Sequence, residues 1–185
     1  MRGDPGTVIG QHIRQFFAGH AVEEHAWYLG PACDELPRLR VLVFAPGPRS
    51  DFWVYATVGA WEACADPRLE FFLIAPAPDE RHVELLFMAT WYHKHEKLGE
   101  GHTLPIGEPW LAGSACEAFL VSLPYPCGPN LELCWTAGQP VRVLWLLPIT
   151  MAERAFKIRE GLEALERRFD EVGLEYWRPE WASVV

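Results

Sequence analysis

The sequence predicts a single α+β domain in which a mixed, mainly antiparallel sheet is flanked by helices. Three observations carry that expectation. Strand-like runs come first, then a helix, then more strands, with helical segments at the end, an order that describes an α+β domain. The run VRVLWLLP from Val141 to Pro148 is apolar on both faces, which marks a central strand covered on both sides. A chain of 185 residues suffices for one well-buried core and is short for two, since domains usually run ~100 to 200 residues.

Taken in order, Ile9, Ile13, Phe16 and Phe17 recur at helical spacing, so residues 7–18 are expected to form an amphipathic helix closed by Gly19. LRVLVFAP (39–46), FWVYATVGA (52–60) and LEFFLIAP (69–76) are β-rich runs set apart by Gly, Pro and Asp, and read as neighbouring strands. Asp79 is a candidate N-cap for a helix that continues to Tyr92 and is apolar nearly all round. Residues 98–115 carry Gly99, Gly101, Pro105, Gly107, Pro109 and Gly113, which predicts a long loop of functional character. EAFLVSLPY and LELCW then read as strands on either side of the turn PCGPN. Pro148 is expected to stop the final strand. Thr150 and Glu153 have the spacing of a capping box, which starts the next helix at Met151. Leu162, Leu165, Phe169 and Val172 predict a buried stripe, with Gly161 as a break and Gly173 as a C-cap.

Half of the residues are hydrophobic and 13% are aromatic, which excludes a disordered chain. No apolar run approaches the ~18 residues of a membrane helix, and MRGDPGTVIGQHIRQFFAGH lacks the apolar core of a signal peptide, so a soluble, cytoplasmic protein is expected. The five cysteines are odd in number and contain no C-x-x-C pair, as befits reduced structural thiols. A net charge of −9 argues against nucleic acid as a partner, because that affinity rests on Lys and Arg neutralising phosphates. The same charge suits a basic protein.

Candidate chemistry is sparse. His93, Lys94 and His95, with His102 nearby, invite a metal reading, yet positions i and i+2 of a helix point about 200° apart. Histidines solvated at a helix end are the better reading. Neither a structural zinc spacing nor a G-x-S-x-G elbow nor a phosphate-binding glycine loop is present. No catalytic residue, metal or cofactor is therefore expected. Among nine tryptophans, Trp53, Trp135 and Trp145 fall in strands and read as core. Trp110 in the glycine-rich loop, and Trp177 and Trp181 in the tail, are candidate partner contacts, because aromatics in irregular segments anchor interfaces; covering the core or the sheet edge is the competing role. His102 and Thr103 complete the candidate partner-binding set.

The tail Leu147, Pro148, Ile149, Thr150, Glu153, Gly161, Leu165, Ser183 and Val184 resembles that of the Suppressor of Fused family in its short bacterial single-domain form. FWVYATVGA, LEFFLIAP and GEGHTLPIGEPWLAGSACEAFLVSLPY (99–125) look similar too, so the likeness is clearest over 52–185, within one domain spanning 1–185. Ala60 and Trp61 depart from the pair usual after that glycine. The resemblance implies the same α+β fold and a non-enzymatic protein-binding module. Animal members hold transcription factors by adding a peptide strand between two lobes, and this chain is too short for the second lobe. Bacterial relatives suggest an immunity protein that neutralises a toxin, here a basic one. A small hydrolase using His102 with a cysteine or carboxylate is the alternative. Another is a small-molecule-binding protein, using either loop 98–115 or a pocket beneath the Asp79 helix.

Overall fold

The computed structural model describes residues 4–185. Asp4 opens the first helix, α1 (Pro5–Phe16), by accepting the Thr7 N–H at 3.2 Å, and Pro5 supplies the preset φ of a first helical position. The helix thus starts earlier than its apolar stripe suggests. Four strands and a short helix follow: β1 (Val22–His25), α2 (Pro31–Glu35), β2 (Arg40–Phe44), β3 (Trp53–Val58) and β4 (Leu69–Ala75). Then come α3 (Arg81–Glu96), β5 (Thr103–Pro105), β6 (Cys116–Ser122), α4 (Pro129–Glu132), β7 (Leu133–Trp135), β8 (Pro140–Thr150), α5 (Met151–Glu160) and α6 (Leu162–Val172).

Eight strands form one sheet in the order β1-β2-β3-β4-β8-β6-β5, with β7 also paired to β8. Every pairing is antiparallel except β4 with β8, which run parallel. The mixed, mainly antiparallel sheet with helices on both faces is the architecture expected. Strand β8 is central, and its alternation sorts Val143, Trp145 and Leu147 to one core and Leu144 and Leu146 to the other. Leu86, Phe87, Phe119 and Phe71 share the layer of Leu144 and Leu146, on the α3 face. Ile9, Ile13, Phe72, Leu165 and Phe169 build the layer of Val143, Trp145 and Leu147, between the sheet and α1 and α6. Each such fully buried Leu or Phe contributes about 1.5–3 kcal/mol.

Several expectations change. Pro148 does not stop β8, which pairs with β6 through Thr150. The pairing with β4 stops at Trp145, although β4 itself continues to Ala75, so beyond that point β8 is laddered on its β6 side only and a residue without an N–H is tolerated there. The loop 98–115 contains the edge strand β5. LELCW divides into α4 and the three-residue β7, and Trp135 at its end is 70% exposed, not core. Val172 is exposed, outside the stripe that Leu165 and Phe169 form. Helix α3 begins at Arg81 with Glu80, not Asp79, at its N-cap; Asp79 Oδ1 nevertheless accepts the Arg81 N–H at 2.9 Å.

Glu70 lies wholly buried in β4 and holds the bend after β3. Its carboxylate accepts the Gly59 N–H at 2.9 Å, the Ala60 N–H at 3.2 Å and the Thr57 hydroxyl. Gly59, at φ 108°, is where only glycine fits: an added Cβ would lie 3.0 Å from the Arg38 carbonyl oxygen.

Candidate functional site

The residues singled out in the loop do not converge on one surface. Trp110 is 1% exposed and its indole N–H donates to Ser114 Oγ at 3.1 Å, so it plugs the core beneath the loop. A partner could touch it only after the loop opened, so Trp110 is not a surface contact in this fold. His102 is exposed beside β5; its backbone carbonyl accepts the Val121 N–H at 2.8 Å, and Thr103 is half-buried. Trp177 stacks on Phe52 with ring centroids 5.2 Å apart. Trp181 donates its indole N–H to Glu153 Oε1 at 3.1 Å. Both tail tryptophans are therefore engaged in securing the C-terminal segment.

Nothing in the loop resembles an activated nucleophile. Burial pushes the Cys116 thiol up to about 11, away from the thiolate that catalysis needs. All five cysteines are free thiols, with Cys64, Cys116 and Cys134 buried. His93 is buried rather than solvated, its Nε2 3.2 Å from the Pro67 carbonyl oxygen, while His95 sits beside Glu35 at 3.2 Å. Among the described residues no group of three His, Cys, Asp or Glu is placed to hold a metal. No helix among them is long and apolar enough to cross a membrane.

The strand order ends in β1 on one side and β5 on the other, and these two edges differ in what they offer. On β5 the Ile106 N–H bonds Glu117 O at 2.9 Å, and the Val121 N–H bonds His102 O at 2.8 Å. Alternation along the strand then points Thr103 and Pro105 outward. Pro105 has no N–H, so that edge lacks a donor where an added strand would need one. On β1 the Ala45 N–H bonds Ala21 O at 3.0 Å, which assigns Ala21, Glu23 and His25 to the β2 ladder. The N–H and C=O groups of Val22 and Glu24 consequently face outward. Here the edge offers two complete donor and acceptor pairs.

Side chains around β1 add to that backbone. Tyr28 and Leu29, just past the strand, are 83% and 70% exposed. The segment that carries them is tied down through Glu35 in α2, which accepts the Trp91 indole N–H at 2.9 Å and pairs with Lys94 at 3.0 Å. Those two interactions hold the Glu35 carboxyl down at about 2. On the α3 face Glu23 and His25 border a cavity of about 240 Å³ whose apolar walls are Trp53 and Tyr55. Asp79 and Glu80 close its other side, so its rim carries three carboxylates against one histidine. On the opposite face Glu24 pairs with Arg14 at 2.9 Å. The local balance is acidic, in line with the net charge of −9.

Sequence reasoning missed this edge. VEEH shows no apolar alternation, and an edge strand of four mostly exposed residues has none to show. Helix α2 escaped for the same reason, being five residues long. The signal that was available is the pair Tyr28 and Leu29 beside Gly30, two large apolar residues in a segment with no periodicity.

Comparison with known proteins places these features in context. A family model for Suppressor of fused protein (SUFU) matches residues 35–180. A solved structure of a Suppressor of fused homologue from Neisseria gonorrhoeae is 35% identical, with a TM-score of 0.87 over 98% of this chain and 97% of that one. The crystal structure of the Sufu–Fu complex is similar at 13% identity and a TM-score of 0.75, covering 100% of this chain and 93% of that chain. Drosophila Suppressor of Fused is similar at 13% identity and a TM-score of 0.61, over 97% of this chain and 51% of that one. The last two likenesses concern the fold alone. No curated protein matches the chain.

Proposed function

The chain belongs to the Suppressor of fused family, and on that premise we propose that it is a non-enzymatic, cytoplasmic protein-binding module that captures a basic polypeptide along the open edge of β1. Neutralising a basic toxin, as an immunity protein does, is the form of this activity that the acidic surface suits best. The observation that carries the reading is the pair of outward-facing backbone groups at Val22 and Glu24, flanked by exposed Tyr28 and Leu29. One relative of the same fold is a complex of Sufu with Fu, which favours binding over catalysis as the precedent.

Strand addition gains affinity from main-chain hydrogen bonds and specificity from pockets that take alternate side chains. A Lys or Arg of the added strand would lay its aliphatic stem against Trp53 and Tyr55 and its charge among Glu23, Asp79 and Glu80. Glu23 and Glu24 would also repel the edge of a second copy, so the same charges that admit a basic segment oppose self-association. Long-range attraction of this kind speeds encounter and is screened by salt.

The test is affinity capture from the source lysate at low and moderate salt, run in parallel with native protein and the Glu24→Pro variant. Proline there removes an outward donor and leaves the β2 ladder intact, so folding should be unaffected while retention of a stoichiometric basic polypeptide falls at least about tenfold. Moderate salt should slow its association. A polypeptide held equally by native protein and by folded Glu24→Pro would place docking elsewhere, and association insensitive to salt would remove the basic partner.

A further inference from the structure

The two faces of the β1 edge differ in their charge. Glu23 and His25 pair with Val43 and Val41, which belong to the core under α3, so both side chains face α3. Glu24 pairs with Leu42 of the other core and faces α1. A side chain of an added strand lies on the same face as the β1 residue directly opposite it. Residues of such a strand opposite Glu23, Glu24 and His25 would therefore point to α3, α1 and α3 in turn.

On the α3 side they meet the acidic cavity of Glu23, Asp79 and Glu80. The α1 side is built differently. A cavity of about 400 Å³ opens there between α1 and the strands β2 and β3, and reaches the edge through Glu24. Arg14, Arg38 and Arg40 line it, together with Asp4, Glu24 and Glu62. Those carboxylates are already engaged: Asp4 caps α1, Glu62 pairs with Arg38, and Glu24 pairs with Arg14 at 2.9 Å. Arg40 is left over. Its Nη1 donates to the Pro37 and Leu39 carbonyls at 2.9 and 2.7 Å, and no carboxylate among the described residues forms an ion pair with it. Arg14 also keeps donors to spare, because a guanidinium carries more N–H groups than one carboxylate oxygen uses.

Resting on the strand addition at β1 proposed above, we infer that the captured segment carries alternating charge: Lys or Arg, then Asp or Glu, then Lys or Arg. The two cations face α3, opposite Glu23 and His25, where the acidic rim receives them. The central carboxylate faces α1 and joins Arg14 and Arg40, as guanidinium forks accept carboxylates well. A cation at the centre would instead meet three guanidiniums. This pattern reads the same in both strand directions, so it selects a partner sequence whichever way the segment runs. It also sets that sequence apart from one that is merely basic.

Two peptides test the pattern: acetyl-Thr-Val-Lys-Glu-Lys-Val-Thr-amide and the same peptide with Gln in place of Glu. Each is titrated into isotopically labelled protein at low salt, and binding is read from the amide shift of Val22. The glutamine peptide is the more positive, so attraction by the net charge of −9 alone would make it the tighter ligand. Alternating recognition predicts the reverse, with the glutamate peptide tighter by at least about threefold. That advantage should vanish in the Arg14→Gln, Arg40→Gln double variant, which should still bind the glutamine peptide; the comparison on native protein stands whether or not the variant folds. A glutamine peptide at least as tight as the glutamate peptide, with both lost in Glu24→Pro, would overturn the charge pattern and leave strand addition standing. No binding of either peptide at millimolar concentration, or binding indifferent to Glu24→Pro, would overturn both.

Discussion

Glu70 illustrates how one side chain can set a pH response without touching any partner. Burial raises its carboxyl to about 7, against the hydrogen bonds from Thr57, Gly59, Trp61 and Ala60 that favour the charged form. Both protonation states can be accommodated. Ionised Glu70 accepts from Thr57 Oγ1; protonated Glu70 can donate to it, while the threonine turns its proton to the Phe71 carbonyl at 3.3 Å. The folded value lies above the unfolded value of 4.5, so this group's contribution to stability is full below about 4.5 and is lost as pH rises through about 7. Comparing the unfolding free energy of native protein and Glu70→Gln from pH 4.5 to 7 should show the native protein losing ground with rising pH, by up to about 1.4 kcal/mol per unit. Parallel pH profiles would contradict this. His82 responds in the opposite sense: burial lowers it to about 4, and both ring nitrogens lack partners among the described residues, so its neutral form supports the fold above about 6.5 and that support is lost as pH falls through about 4. Neither effect was legible in the sequence, where Glu70 is a polar residue in an apolar run and His82 one more helical position.

At the scale of elements, the capping box shows both the reach and the limit of local reading. Thr150 Oγ1 accepts the Glu153 N–H at 3.1 Å and Glu153 Oε2 accepts the Thr150 N–H at 2.7 Å, as the S/T-x-x-E spacing predicts. What the spacing cannot reveal is the other oxygen, which accepts the Trp181 indole N–H and the Val184 N–H, both at 3.1 Å. Glu153 is fully buried and therefore fastens the tail as well as the helix. Thr150→Ala should cost about 1 kcal/mol, the worth of a cap. Glu153→Ala, which strands three donors, should cost about 3 kcal/mol and expose residues 174–185 to limited proteolysis. Equal losses for the two variants, with the tail still protected, would mean that the carboxylate serves the helix only. Strand ends follow the same logic: the chemistry of Pro148 alone predicts a stop, and only the end of the β4–β8 pairing at Trp145 shows why it is tolerated.

The whole molecule was legible where patterns are long and buried. Strands β2, β3 and β4 are neighbours, β8 is central with both faces covered, and Gly161 and Gly173 close the last two helices, as their sequences predict. The parallel join of β4 to β8 pairs Leu69 with Arg142 and Phe72 with Trp145, across a separation that no local pattern spans. For the candidate surface the difficulty is of another kind. Aromatic residues in irregular segments are the contacts a sequence suggests, but Trp110, Trp177 and Trp181 are occupied in holding the fold, whereas the open edge is short, charged and without periodicity.

Amide hydrogen exchange of the captured complex against the free protein, read residue by residue, addresses the central claim most directly. Strand addition at β1 predicts new protection at the outward-facing amides of Val22 and Glu24, with the already bonded amides of Glu23 and His25 changing little. Protection that appeared around His102 and Thr103, or nowhere on β1, would contradict the account.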